Sequence, residues 1–141
     1  MRRGLALALV FVAAGCGSHA SNQGATTGVA TKASQPRQVR VTISAPTHHP
    51  RVKAKWPVTV HVTNAAGQPI AARLTMRILF AGSPVGKVDF GRVYHFVGSW
   101  REKKGEEITW PAASRGQPLA FQAIVTAHHV TVKRTFPVTP Q

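Results

Sequence analysis

A strict alternation of apolar and polar residues, which begins at Val39, constrains the fold of this chain more than any other feature. Because successive side chains of a β-strand point to opposite faces, each alternating segment predicts a strand with one buried and one exposed face. Apolar segments that read as strands recur along the chain, at 39–43, 58–62, 74–80, 93–97, 108–110, 119–127 and 130–138. No stretch after residue 38 shows a sustained helical period. The pattern therefore predicts an all-β domain with antiparallel sheets.

Turn-forming residues separate the predicted strands, at 64–69, 81–84, 104–105 and 114–118. About seven short strands spread over roughly 100 residues are typical of a Greek-key β-sandwich, and a domain of that size has room for a modest two-layer core. A small barrel gives a similar pattern. We predict a single immunoglobulin-like antiparallel β-sandwich of about seven strands over residues 39–141.

The stretch at 58–70, with the sequence VTVHVTNAAGQPI, resembles the strand–turn–strand unit of bacterial immunoglobulin-like surface domains. In that family a valine-rich strand ends in an Asn or Asp turn, and a Gly-x-Pro step begins the next strand. The resemblance implies the fold and carries no catalytic residue. The chain departs from antibody-type domains, because its single cysteine cannot form an intrachain disulfide and its tryptophans lie at 56, 100 and 110.

Residues 1–15 have the organisation of a bacterial signal peptide. Two arginines precede an apolar run at 4–14, which is too short for a bilayer span of ~20 residues. Ala13, Ala14, Gly15 and Cys16 then resemble the bacterial lipobox, in which the cysteine thiol is alkylated by a diacylglycerol. The resemblance implies that Cys16 is the lipidation site and the first residue of a mature lipoprotein. An ordinary secretory signal with an incidental cysteine is the alternative.

Residues 16–38 combine the predicted lipidation site with a segment rich in Ser, Thr, Gly, Ala and Gln. Such a composition buries too little apolar surface to offset the entropy of ordering, so it predicts a flexible linker. We therefore expect a protein held in the cell membrane by its lipid anchor. Its domain would face the cell exterior or the periplasm.

Lys and Arg number 18 against four acidic residues, which gives a formal net charge of +14. That balance points to anionic neighbours, although a basic composition without any dedicated partner is the simpler alternative. We single out a basic pole, because the predicted topology brings the loop before residue 119 to the end of the domain where 51–55 lie. The basic pole consists of Arg51, Lys53, Lys55 and Arg115.

The partners that we expect for the basic pole are anionic lipid, a wall polymer or an envelope protein. Arg73 and Arg77 add charge to one exposed sheet face. Binding of single-stranded nucleic acid requires aromatic side chains among the cations, and Trp56 alone is placed in that way. We therefore expect no nucleic-acid partner.

Histidine is the feature that suggests metal, since imidazole binds copper and zinc. The candidate ligands are two pairs, His48 with His49 and His128 with His129. An immunoglobulin-type topology places these pairs at opposite ends of the domain, and no acid lies beside either pair to orient the rings. We predict no metal and no other cofactor, and we keep a copper- or zinc-handling accessory lipoprotein as the alternative function.

No catalytic constellation is recognisable in the chain. The acids are Asp89, Glu102, Glu106 and Glu107, and the basic residues around Glu102 and Glu106 suggest a solvated charged turn. Nucleophile motifs and a phosphate-binding glycine loop are missing as well. We predict a non-enzymatic, membrane-anchored interaction module with no small-molecule substrate. An accessory subunit of an envelope enzyme complex is a further option.

Overall fold

The computed structural model of the protein describes residues 38–141. The predicted signal peptide, the lipidation site Cys16 and the predicted linker up to residue 37 lie outside the described residues, so these three assignments stay predictions. Residues 38–141 contain no helix whose length and hydropathy would let it cross a membrane.

The described chain is an all-β structure with antiparallel sheets, as the alternation predicts. Two short 3-10 segments, Val88–Gly91 and Ala112–Ser114, are its helical elements. Its ten strands are β1 Val39–Ser44, β2 Lys55–Trp56, β3 Thr59–Asn64, β4 Ala71–Phe80, β5 Ser83–Lys87, β6 Tyr94–Val97, β7 Ser99–Arg101, β8 Ile108–Thr109, β9 Leu119–Ala127 and β10 Val130–Val138.

The first sheet has the strand order β1-β3-β7. In β1 and β3 the residues alternate between the two faces, so that Val41 pairs with Val62 on the buried side. The β7 residue Trp100 pairs with Val60 and extends the same apolar face. Polar side chains such as His61 occupy the opposite, exposed face.

The second sheet has the strand order β10-β9-β4, and both β5 and β6 pair with the free edge of β4. The hairpin of β9 and β10 pairs without a break from the pair Val130–Ala127 to the pair Val138–Leu119. The long strand β4 needs two partners on its other side because the chain leaves the edge after Lys87 and returns at Tyr94. A third, minimal sheet joins β2 to β8.

One apolar cluster takes its residues from both larger sheets and from the connecting segments. Val60 of the first sheet and Leu74, Phe121 and Val125 of the second are completely buried. Burying a side chain of this size stabilises a fold by about 1.5–3 kcal/mol. Residues 38–141 supply this cluster and have the usual size of one small domain, so we expect this segment to fold by itself.

The strand count differs from the expected seven or so, because the predicted turn at 81–84 contains the start of β5 and because three of the strands have only two or three residues. The apolar stripe of β4 also ends earlier than the alternation suggests. Phe80 is 41% exposed, whereas Leu79 on the opposite face is buried. The reason is position, since Phe80 is the last residue of β4 and pairs with Ser83 across the turn.

Candidate functional site

The C-terminal segment organises the end of the domain at which the basic pole lies. Gln141 donates its backbone N–H to the carbonyl oxygen of Pro50 and accepts a hydrogen bond from the backbone N–H of Val52, both at 2.8 Å. Pro140 accepts a hydrogen bond from the backbone N–H of Gly116 at 2.7 Å. Two segments distant in sequence, 50–52 and 115–116, are thereby fixed to one strap of backbone.

This strap fixes the segments of Arg51 and Arg115, Lys53 and Lys55 follow Arg51 within four residues, and all four side chains are exposed. Arg51 and Lys53 flank Val52, and Lys53 donates its backbone N–H to the carbonyl oxygen of Trp110 at 2.8 Å. Lys53 has a positive φ of 60° and lies in the turn that follows Arg51. Arg115 immediately precedes the Gly116 that bonds the strap.

Lys55 is held differently from the other three cations. It belongs to β2, pairs with Thr109 of β8, and donates from Nζ to the carbonyl oxygen of Gly105 at 2.6 Å. The hydrogen bond fixes its ammonium group over the 103–107 turn. Arg51, Lys53 and Arg115 are therefore the more adaptable cations of the pole.

Trp56, the aromatic residue next to the pole, is a core residue with 1% exposure. Its indole Nε1–H donates to the carbonyl oxygen of Thr47 at 3.0 Å. Its ring meets those of Trp110 and Phe121 edge-on, with centroids 5.5 and 6.0 Å away. The ring therefore offers no face on which a base could stack.

The two histidine pairs lie at opposite ends of β10. His48 stacks on Phe136 with the ring centroids 4.1 Å apart, and its Nδ1 lies 2.6 Å from the carbonyl oxygen of Pro137. His49 is exposed next to it. His128 and His129 form the turn that precedes β10. Within residues 38–141, no group of three or more His, Cys, Asp or Glu side chains is placed to hold an ion.

His128 and His129 form the two-residue loop of the β9–β10 hairpin, and both have a positive φ, 47° and 67°. Such a type I′ turn favours Asn and Gly, since other side chains are strained in the left-handed region. The rings border an open groove that also contains Arg73 and His95. Arg73 is exposed there, as predicted.

Arg77, the other arginine predicted on the exposed sheet face, is only half-buried and is engaged with its neighbours. It donates from Nε to Oε1 of Gln122 at 2.7 Å. Gln122 in turn donates from Nε2 to the hydroxyl of Thr135 at 3.2 Å. This chain of hydrogen bonds crosses three strands, which gives Arg77 a structural role in the sheet.

Three of the four acidic residues of the chain line one cavity of about 260 Å³ beside the edge of β6. They are Asp89, Glu102 and Glu106. The hydroxyl of Tyr94 donates to Oδ2 of Asp89 at 2.7 Å, and its ring packs against Trp100 with centroids 4.9 Å apart. Burial, followed by the hydrogen bond to Asp89, raises the pKa of Tyr94 to about 12.

Glu102 contradicts the prediction of a solvated charged turn, because its side chain is only 8% exposed. Its Oε2 accepts a hydrogen bond from the backbone N–H of Val58 at 3.3 Å, and its Oε1 is buried without a partner. Burial raises the pKa of Glu102 to about 7, against the smaller opposing effect of backbone hydrogen bonds. The carboxyl group therefore exchanges a proton near neutral pH. Glu102 thus supplies a titratable acid to the cavity that Asp89 and Glu106 also line.

Glu107 behaves in the opposite way. A hydrogen bond from its own backbone N–H and another from the N–H of Gly105 hold its pKa below the ordinary value. The Gly105 bond, to Oε2, is 2.6 Å long. Residues 102–107 therefore contain two different carboxyl groups. The environment of Glu107 favours its ionised form, whereas the environment of Glu102 favours the protonated form.

Searches against protein-family models, curated proteins and solved structures found no significant match for this chain.

Proposed function

We propose that the chain is a membrane-anchored bacterial lipoprotein and that its domain is a non-enzymatic interaction module of the cell exterior or periplasm. In this proposal residues 1–15 are removed, Cys16 carries the lipid, and the two larger sheets are those of an immunoglobulin-like sandwich. The shared apolar cluster of the two sheets supports the sandwich.

The observation that carries the function is the basic pole. Three cations from 51–55 and one from position 115 are exposed, and the segments that carry Arg51 and Arg115 are both hydrogen-bonded to the C-terminal strap, which supports a single basic pole. No acidic residue lies between 51 and 55, and the acids that precede Arg115 most closely in sequence are Glu106 and Glu107. We infer that the pole binds an anionic surface, namely lipid or wall polymer.

The expected strength of this contact is modest. Each Lys or Arg close to an anionic leaflet contributes about 1 kcal/mol, so four cations supply about 4 kcal/mol before the cost of restricting the domain. The Debye length in physiological salt is ~8 Å, which limits the attraction to direct contact. The pole should therefore bind weakly and lose its ligand as salt rises.

The test is co-sedimentation of residues 38–141 with anionic vesicles and with purified wall polymer, at low and high salt. The variant carries Arg51→Glu, Lys53→Glu and Lys55→Glu. The matched control makes the same charge change at Arg40, Arg73 and Lys133, which are exposed on other parts of the domain. We expect the pole variant to lose binding and the control to keep most of it. Equal loss of binding in both variants would show that binding depends on the overall positive charge and not on the pole.

Lipidation has a separate test. Mature protein should begin at Cys16 and carry the mass of a diacylglycerol, as measured by mass spectrometry. Cys16→Ser should move the protein to the soluble fraction or leave the precursor uncleaved. Normal cleavage with full membrane retention in that variant would contradict a lipid anchor.

A further inference from the structure

Phe90 is the most exposed apolar side chain of the described residues, at 102% of its reference area. It lies in the short 3-10 segment between β5 and β6, which the alternation of the sequence does not reveal. Val85 and Val93 on either side of it are also exposed, at 59% and 49%. Three exposed apolar side chains within nine residues concentrate apolar surface on one loop, and concentrated apolar surface marks interaction sites.

The backbone that presents Phe90 is strained. Asp89, Phe90 and Gly91 have consecutive positive φ values of 48°, 55° and 81°. The left-handed region is uncommon for bulky residues and persists only where the surroundings enforce it. The loop thus adopts a conformation that its own residues disfavour, and the conformation leaves the phenyl ring outside the core.

Specific contacts enforce this conformation. Asp89 accepts hydrogen bonds from the backbone N–H of Arg92 at 3.0 Å and from the hydroxyl of Tyr94 at 2.7 Å. The stem of Lys87 packs against Gly91, where an added Cβ would lie 3.1 Å from Cδ of the lysine. The ring is therefore displayed by a loop that is fixed at its base, which keeps the entropy lost on binding small.

Two cations lie beside Phe90, and one of them, Arg92, shares a cavity with Asp89, Glu102 and Glu106. Lys87 and Arg92 flank the tip and are exposed, and the Arg92 guanidinium lies over the Tyr94 ring at 5.4 Å. The one acid of the loop, Asp89, directs its carboxylate to the Tyr94 hydroxyl. An apolar tip between two cations is the chemistry that interfacial membrane anchors use, with the ring among acyl chains and the cations at the headgroups.

The size of the patch favours a bilayer over a protein. A stable protein–protein interface buries about 800 Å² on each partner, whereas one phenylalanine contributes at most 150–250 Å². We propose that the Phe90 loop, residues 85–93, inserts into the headgroup region of an anionic bilayer. This inference rests on the proposed function, because it specifies lipid as the anionic surface and adds an apolar contact to the basic pole.

A groove connects the Phe90 loop to the strand that pairs with the basic pole. A groove of about 480 Å³ has residues 85–89 as one wall and 106–111 as the other. The second wall includes β8, which pairs with Lys55 of the pole. Insertion of the loop beside the groove would bring Lys55 towards the same headgroups.

The experiment measures partitioning of residues 38–141 onto vesicles of phosphatidylglycerol and phosphatidylcholine in equal parts, and onto phosphatidylcholine alone. Phe90→Ala should lower the partition coefficient on the anionic vesicles by about tenfold or more, as expected for a phenyl ring that leaves water. Phe90→Trp should keep the binding and shift its added fluorescence to shorter wavelength with vesicles. Phe80→Ala, which removes a partly exposed ring outside the loop, is the matched control. Unfolding curves show that each variant is folded.

The outcomes separate this inference from the proposed function. Unchanged partitioning of Phe90→Ala, or a Phe90→Trp emission that ignores vesicles, overturns the inference. If the triple pole variant loses vesicle or polymer binding while Phe90→Ala keeps it, the proposed function stands and the inference fails. If Phe90→Ala loses vesicle binding and the pole variant does not, the loop is the membrane contact and the pole is not. Absence of vesicle binding in the unchanged domain overturns the inference.

Discussion

The paired strands β3, β4 and β9 and the lateral segment at 81–111 are built in opposite ways. In the paired strands the apolar residues of one face form the core, and the charged side chains are all basic. The lateral segment contains all four acids of the chain, a buried carboxyl group, a fully exposed phenylalanine and three non-glycine residues in the left-handed region. The domain therefore keeps the residues that stabilise it in one region and the residues with unfavourable local geometry in another. Such departures concentrate at functional sites.

The largest expected effect comes from a substitution in the core of the paired strands. Val60→Asp places a charge without a partner at a position that has no exposure, which should destabilise the domain by about 4 kcal/mol or more and abolish folding. His61→Asp, one residue along the same strand but on its exposed face, should keep the fold. The measurement is circular dichroism with thermal unfolding. A cooperative β-type transition in Val60→Asp would mean that the two sheets do not share the core described above.

Gly98 joins the two regions and should show the next largest effect. It accepts a hydrogen bond from the N–H of Val62 in one sheet and donates to Ile70 beside the other. Its φ is +69°, and an added Cβ would lie 2.5 Å from Cβ of Pro69. Gly98→Ala should therefore cost about 2–3 kcal/mol.

The control for this substitution is Gly86→Ala on the edge strand β5, where the added methyl group meets open space. Its free energy of unfolding should change by less than ~0.5 kcal/mol. Urea unfolding curves give both values. Similar values for the two variants would show that the crossing at Gly98 tolerates movement.

Glu102 tests whether the lateral segment lowers stability. Because its pKa is about 7 when folded and near the ordinary value of 4.5 when unfolded, the folded state holds the proton more tightly. The free energy of unfolding should therefore fall as pH rises from about 4.5 through 7 and level off above. The loss should be on the order of 2 kcal/mol after allowance for solvent screening.

Glu102→Gln replaces the carboxyl group by a neutral group of the same shape and should remove this pH dependence. The variant should be more stable than the parent at pH 8 and similar to it at pH 4, as measured by urea unfolding across that range. Glu106→Gln, at the exposed rim of the same cavity, is the control and should retain the fall. A parent protein whose stability rises between pH 5 and 8 would contradict the burial of Glu102.

The smallest expected effect comes from the turn between β9 and β10, where the backbone is strained. Replacing His128 and His129 by Asn and Gly fits the type I′ geometry and should stabilise the domain by about 0.5–1 kcal/mol. The shift in thermal midpoint measures it. A lower midpoint would mean that the imidazole rings make contacts that outweigh the strain.

The sequence predicts the paired strands well and the lateral segment poorly, for a physical reason. The bounds of β9 and β10 match the predicted 119–127 and 130–138, because local alternation and a short turn suffice to define a hairpin. The strand β5 was missed because Ser83 and Pro84 resemble a turn, and only pairing with β4 makes them a strand. Pairing between distant segments leaves no local signal.

The two most informative side chains of the lateral segment were also missed. The charged neighbours of Glu102 suggested solvent, yet Trp100 and Glu102 share one side of an extended segment, and this period of two was the available signal for burial. Phe90 lies between Asp89 and Gly91, two turn formers, and a bulky apolar residue between them was a signal for display. The gathering of the basic pole by the C-terminal strap depends on backbone hydrogen bonds that composition cannot indicate.

The direction of β1 has a consequence for what the domain can touch. Gln38 leads into β1 where Val39 pairs with Asn64, whereas the basic pole lies past the other end, where Ser44 pairs with Thr59. Six residues of strand separate these ends by ~20 Å, more than twice the Debye length of ~8 Å. If Cys16 is the anchor, as proposed, the linker enters the domain at the end opposite the pole. The pole of an upright domain then points away from its own leaflet and reaches it only when the domain lies on its side. If the pole binds anions, as proposed, the orientation of the domain at the membrane decides which of them it can reach.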